Sequence, residues 1–474
     1  MQLSPWGQKR RLPPHALKRN LDLIFAEGTA WSVMVGTGET YLPAFLLALG
    51  GNAVGAGLIT TVPLLGGGLL QLLTPWAVRK LRSRKAWVVV CATVQAAMFV
   101  PLIWIALRGA APTWLVFLIA TIYWGAGMAA GPAWSTWIGT IVRGRIRSHY
   151  FASRSRATQI GTGCALFLAG WIVQSAEKRN EELLGFVVLF SLAFLARASS
   201  SLLLVKQDES VPRVEDRNVS WKELLPRLRG RGGNRLLLVL LSMSTSVTIA
   251  SPFFTPYMLQ ELHLSYLEYV GLIGTAFLAK IVALTWLGSF VARVGATRAL
   301  RIGAAGILPL SALWILSTQY VYLFALQVLS GTVWAMYEFA AFLLFFETIE
   351  EKERTSLLTL YNLGNTIAVT VGSALGALLL SNALDGSAAY HLVFGVSSIF
   401  RTLVALLLLR LGFGRVERVA EDLRQFAMGL RTFSVRPSTG GWLRPMIPTL
   451  PRRRSGNDEA PPANPVANQE SSDL

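Results

Sequence analysis

Apolar runs of about twenty residues recur twelve times along this chain, six before and six after a basic, polar stretch at 206–234. The runs cover 28–49, 53–77, 86–107, 113–141, 157–175, 183–205, 235–258, 267–291, 299–317, 320–346, 356–380 and 389–411. About twenty apolar residues in a helix cross the hydrocarbon of a bilayer. Lipid offers no partner for free backbone groups, so each run predicts a helix. The fold class expected is an all-α polytopic membrane protein with twelve transmembrane helices in two six-helix, pseudo-symmetric bundles. The domain division expected is a basic arm at 1–20, a first bundle at 21–205, a central loop at 206–234, a second bundle at 235–411 and a tail at 412–474.

The polar stretches carry a second pattern. Within the central loop, Trp221, Leu224, Leu225 and Leu228 alternate with Lys222, Arg227, Arg229 and Arg231, which suits a short interfacial helix. After residue 412, Val416, Val419, Leu423, Phe426, Leu430 and Phe433 recur at helical spacing and predict an in-plane amphipathic helix. From Arg436 onward Pro, Gly, Ser and charge dominate, the composition of disorder.

Composition agrees with a membrane protein: 53% of residues are hydrophobic, 15% are charged and mean hydropathy is +0.48. The net charge of +18 would suit a nucleic-acid partner, but its placement argues against one. Arg197, Lys280 and Arg401 fall inside spans, and Arg108, Lys178 and Arg179 lie in loops on one side. The remaining Lys and Arg lie in or beside the loops on the other side, with both termini. That asymmetry is the positive-inside pattern and predicts cytoplasmic termini, with basic loops against anionic lipid. Cys91 and Cys164 both fall inside spans and make no disulfide framework.

The two halves echo one another. Arg197 in FLARASSSLLLV and Arg401 in IFRTLVALLLL hold matching places in spans six and twelve. Arg145 to Ser148 after span four answer Lys352 to Ser356 after span ten. Parallel repeats of six spans build one large class of carriers. The loop after span eight, GSFVARVGATR, supplies Gly288, Arg293, Gly295 and Arg298. The loop after span two, PWAVRKLRSRK, supplies Arg79, Arg84 and Lys85. On these residues the chain, over roughly 20–412, resembles the major facilitator superfamily, whose pattern there is Gly-x-Leu-Ala-Asp-Arg-x-Gly-Arg-Arg. Ala292 and Val78 stand where the family has Asp, and Arg82 stands for the Gly of the first copy. In the family that Asp latches the cytoplasmic gate, so the resemblance implies a gate loop without its acid.

Span four carries GAGMAAGPAW, similar to the family's Gly-rich segment, with Ile122 where many members have Arg. Gly161, Gly163 and Gly170 of span five lack the antiporter proline, which weighs against drug/proton antiport. The segment PAWSTWIGTIVRGRIRSHYFASRSR also resembles bacterial members. The resemblance implies alternating-access transport of a small solute in a bacterial inner membrane by a monomer, with no cofactor.

Charges inside hydrocarbon cost about 2.5–3.5 kcal/mol each on insertion scales, so each one invites a functional reading. Glu39 in span one, Lys280 in span eight and Glu338 in span ten lie on spans that line the cavity in the family. A carboxyl held there can load and release a coupling proton near neutral pH, with Lys280 as charge partner or substrate anchor. The competing reading is a structural Glu–Lys pair. Arg197 and Arg401 lie on spans outside the cavity set and read first as structural arginines that snorkel to the cytoplasmic end or pair with a cytoplasmic carboxylate, and second as sites for a substrate anion.

Polar faces add Gln159 and Thr162 in span five, and Asn362, Asn365, Thr366 and Ser373 in span eleven. They would line a hydrated cavity or bond between helices. Tyr123, Trp124, Trp134 and Trp137 of span four would stack on a ligand or anchor at the interface. Gly127/Gly131 and Gly372/Gly376 are small-residue pairs that let helices approach.

No GxxxxGK[ST] run is present, and His15, His149, His263 and His391 have no metal spacing. No Ser or Cys nucleophile has a recognisable setting. The sequence thus points to a carrier and away from an enzyme. A rival reading is a superfamily relative that no longer transports and serves membrane assembly, sensing, or pigment or lipid handling.

Overall fold

The computed structural model describes residues 14–142, 147–209, 233–348, 354–382 and 386–410, and every regular element among them is helical. The predicted helices at 221–228 and 416–433, the disordered tail and the loop echoes at 145–146 and 352–353 lie outside the described residues.

Twelve helical segments follow the twelve apolar runs. Seven are single helices, and six of these are Thr113–Ile141, Arg147–Glu177, Glu182–Lys206, Tyr266–Val294, Tyr320–Thr348 and Arg354–Asn382. These are the fourth, fifth, sixth, eighth, tenth and eleventh segments. The twelfth, Ser387–Arg410, is also unbroken. Among the described residues, ten segments are long and apolar enough to cross a membrane. The first and fifth pack among them but carry more charge, including Glu27 and Arg154.

The other segments are broken where the sequence interrupts backbone hydrogen bonding. The first runs Pro14–Thr37, turns at Gly38 through Glu39–Tyr41 and resumes at Leu42–Ala48. The expectation of one helix over 28–49 is corrected here: Pro43 near the start of the second piece suits a new helix start. Residues 14–20, expected in a basic arm, form the opening turns of this segment. The second comprises Ala53–Leu58, Val62–Gln71 and Thr74–Leu81, and its later two pieces each begin next to a proline. The third is Arg84–Ala97 and Phe99–Arg108. The seventh runs Gly233–Thr248, then unwinds through Ser251–Phe253 and Phe254–Pro256 to a wide turn at Tyr257–Glu261. Pro252 and Pro256 remove two backbone donors there. The ninth is Ala296–Ile307 and Leu310–Leu316, parted at Pro309.

Packing repeats between halves. Segment one lies against five and six, two against four, and three against four and six. Segment seven lies against eleven and twelve, eight against ten, and nine against ten and twelve. The halves meet where five packs on eight and two packs on eleven, a pair of contacts related by the same repeat. Large apolar side chains such as Val321, 79% exposed, and Leu316, 72% exposed, ring the outside, as a lipid-facing surface requires.

Close helix approach depends on small residues at a few points. A side chain on Gly376 would sit 2.0 Å from the Ile249 carbonyl oxygen, and one on Gly372 would sit 2.2 Å from Thr248 Oγ1. This pair lets segment eleven lie against segment seven, as expected. The expectation for the other pair is only half met: Gly127 packs on Gln95, but Gly131 faces open space.

Candidate functional site

Segments eight and ten touch backbone to backbone at one point. A side chain on Gly331 would meet the Ala276 carbonyl oxygen at 2.2 Å. About one turn further along segment eight comes Lys280, and two turns further along segment ten comes Glu338. Lys280 Nζ lies 2.6 Å from Glu338 Oε2, and both residues are buried, 8% and 1% exposed. Glu338 Oε1 is buried and has no hydrogen-bond partner among the described residues. The hydroxyl of the adjacent Tyr337 likewise has none. Tyr361 of segment eleven is buried and within electrostatic reach of Glu338. One carboxylate oxygen is therefore committed to an ammonium, and the other is open to a proton or a polar solute atom.

Segment seven meets segment eleven through Ser244, which donates to Asn365 Oδ1 at 2.7 Å. Asn362 Oδ1 is buried without a partner among the described residues. Most other hydroxyls here serve helices: Thr366 donates to the Asn362 carbonyl at 2.9 Å, Ser373 to that of Thr370 at 3.0 Å, and Ser397 crosses to that of Ser246 at 2.7 Å. In segment five, Thr162 donates to the Thr158 carbonyl at 2.9 Å; Gln159 is half-buried on the same helix.

Glu39 lies apart from Lys280 and Glu338. It opens the turn at Glu39–Tyr41, where Tyr123 of segment four donates to its Oε2 at 3.1 Å. The first half has its own buried charge system. Arg154 of segment five lies 2.9 Å from Glu27 of segment one and stacks on Trp134 with 4.7 Å to the ring centroid. Ser200 donates to Glu27 Oε1 at 3.2 Å, Arg197 Nη1 to Ser200 at 2.7 Å and Arg197 Nε to Gln95 Oε1 at 2.9 Å. Arg197 is 4% exposed, so of the two structural uses expected of it snorkelling is not the one seen: it points toward segments one and three, where Ser200 links it to the Glu27 carboxylate. Arg401 is 3% exposed; its Nη1 donates to the Ile307 carbonyl at 3.2 Å.

The loop after segment two also has a carboxylate that its own sequence lacks. Val78, at the Asp position, is buried and apolar. Glu209, just past segment six, accepts from Ser83 Oγ at 2.5 Å and from the backbone N–H groups of Arg84 and Lys85 at 2.8 and 3.1 Å. It thereby caps the third segment's N-terminus. Arg82 takes the left-handed backbone at φ 53°, and Gly295 holds the matching place at φ 85°. Arg79 is exposed on the last turn before that bend. Gly288 and Arg293 lie in the eighth segment and Arg298 in the ninth, flanking Gly295.

Beside this loop, Asp208 accepts from Asn20 at 2.9 Å and from Arg19 at 2.8 Å, and its carbonyl accepts from Trp137 Nε1 at 3.2 Å. Segments one, three, four and six are thus tied at one end of the molecule, called here the basic end. Hydrogen bonding from Asn20 is the largest influence on the Asp208 carboxyl; burial opposes it, and with Arg19 and Lys85 adding to the first the carboxyl is held below the ordinary carboxylate range.

The halves join in the portion remote from the basic end. Tyr266 of segment eight donates to Glu182, and Leu267 N–H donates to Gln174 at 3.4 Å. Phe167 packs where a side chain on Gly274 would be, and Phe253 packs on Gly57.

Sequence reasoning offered Lys280 as charge partner to Glu338 or Glu39, and the structure puts it on Glu338. It did not name Arg154 or Glu209. Arg154 reads as a loop residue until segment five is seen to begin at Arg147. Glu209 is one acid in a basic stretch, and no spacing rule ties it to residues 83–85.

The sequence profile described as the Major Facilitator Superfamily matches residues 236–447. No curated protein matches the chain in sequence. Solved structures share the fold. An auto-inhibited POT family peptide transporter has a TM-score of 0.65 at 12% identity, covering 85% of this chain and 99% of its own. A bacterial homologue of the iron transporter ferroportin, in an inward-facing state, has 0.60 at 16% identity, covering 84% and 99%. The nucleoside transporter NupG has 0.59 at 14% identity, covering 83% and 98%.

Proposed function

From the premise of a major facilitator match in the second half and the transporter fold over the chain, we propose that this protein carries a small solute across a membrane by alternating access. Coupling to protons takes place at Glu338. The observation that carries the reading is the buried Lys280–Glu338 pair with its one uncommitted carboxylate oxygen. Deprotonated Glu338 holds Lys280. A proton on Glu338 cancels that attraction and frees Lys280 to meet a solute. The two groups sit on segments that pack together in the second half, so such a change bears on how that half moves against the first.

The basic end is the cytoplasmic end in this reading, following the placement of Lys and Arg in a bacterial inner membrane. The halves are joined away from that end, which supports an inward-open state. Glu209 supplies a carboxylate to the first gate loop, which removes one ground for the reading of a relative that has lost transport. Gln159, Asn362 and Asn365 serve as polar wall positions, and Glu39 with Tyr123 as a secondary polar point.

The test is a thermal-stability screen of purified protein against a broad panel of small solutes, followed by uptake of any hit into proteoliposomes across a range of pH. Ligand at about 100 times its dissociation constant adds roughly 2.7 kcal/mol, a readable shift. Glu338→Gln is expected to abolish pH-driven uptake. Unchanged uptake with unchanged pH dependence would falsify the assignment of Glu338.

A further inference from the structure

Arg197 and Arg401 hold corresponding places in segments six and twelve, but the two halves treat them differently. In the first half, segments one and three supply Glu27 and Gln95, and Ser200 links Arg197 to the carboxylate. In the second half, the corresponding segments seven and nine supply no acid beside Arg401. Segments nine and twelve contain no Asp or Glu over 296–316 and 387–410. The acid of segment seven, Glu261, lies at its far tip, and Glu338 of segment ten is bound to Lys280.

A cavity takes the place of the carboxylate. It has about 20 Å³ of room for the centre of a water-sized sphere, and its lining includes Ser251, Ser311, Gln327, Ser330 and Arg401 with the indoles of Trp314 and Trp334. Every one of these residues carries an N–H or O–H donor and none is acidic. Arg401 Nε is buried with no hydrogen-bond partner among the described residues, and Gln327 beside it in the lining is 6% exposed. Ser311 is already shared with Ser398 at 2.8 Å. An isolated buried charge is costly without a counter-charge. The volume exceeds the roughly 10–15 Å³ needed for one water and leaves room for one monatomic ion.

We propose that this cavity binds a chloride-sized monovalent anion as the counter-charge of Arg401, a site separate from Lys280–Glu338 and independent of what the carrier moves. The experiment is thermal unfolding of the purified full-length protein in sodium chloride, sodium bromide and sodium gluconate at equal ionic strength. The wild type is expected to melt several degrees higher in chloride and bromide than in gluconate, with the shift growing with halide concentration. Gln327→Glu places a carboxylate inside the cavity. It is expected to melt alike in all three salts and, in gluconate, above the wild type. Ser330→Asp carries the same expectation if Gln327→Glu does not fold. Equal melting of the wild type in chloride and gluconate, as for a cavity that holds only water, overturns the proposal. So does an undiminished halide shift in the carboxylate variant, which would put the halide elsewhere.

Discussion

Glu338 reaches Lys280 with one oxygen and leaves the other without a donor, and both ends of that pair are out of water. Removing one partner of a buried ion pair typically costs about 3–5 kcal/mol, because the charge left behind is uncompensated, whereas removing both is often close to neutral. Lys280→Met and Glu338→Gln singly are therefore expected to lower the melting temperature more than the double variant does. A double variant as unstable as the sum of the singles would mean that the two do not act as a pair. Asp208 offers a test at the surface. Its carboxyl titrates lower in the folded protein than in the unfolded chain, so its contribution is present above the ordinary carboxylate pKa of about 3.9 and is lost as pH falls through the folded value. The stability difference between wild type and Asp208→Asn is expected to shrink as pH drops below about 4, read from melting curves across pH 3–7.

At the scale of elements, the apolar runs predicted where helices lie, because length and hydropathy are local properties. Segment four begins and ends at the expected residues, Thr113 and Ile141. The breaks were harder to read. Segment one carries Gly36, Gly38 and Pro43 within one apolar run, and only packing decides which of them interrupts the helix. Segment five begins at Arg147, ten residues before its apolar run, because Arg154 finds Glu27 and Trp134 instead of water. Of the candidate site, the residue types and a Glu–Lys pairing were legible from the cost of charge in lipid, but not which acid Lys280 meets, Glu39 or Glu338, because that depends on tertiary contacts between distant segments. Gly331 illustrates this: nothing in its neighbours along the chain marks it, yet it sets how closely segment ten approaches segment eight. Gly331→Leu is expected to destabilise by about 1–3 kcal/mol or more through overpacking. It should also reduce uptake by moving Glu338 away from Lys280. A variant with wild-type melting and uptake would show that the contact does not position the pair.

The whole molecule is two similar bundles joined along segments five with eight and two with eleven. The join away from the basic end includes the Tyr266–Glu182 hydrogen bond, which can be loosened without touching Lys280 or Glu338. Spin labels at Lys178→Cys and Gln260→Cys, with Cys91 and Cys164 replaced by Ser, straddle that end. Tyr266→Phe is expected to shift their distance distribution toward longer values, and an unaltered distribution would show that this bond does not hold the end closed. The position of the join also has a mechanical meaning. Segment eight has 29 residues, about 43 Å of helix, and its contacts with the other half lie in its first portion. It works as a lever with its fulcrum near one tip. A tilt of about 10° there carries the opposite tip roughly 7 Å sideways, a span comparable to a small metabolite. Small adjustments at the fulcrum are thus geared up into a passage at the other end.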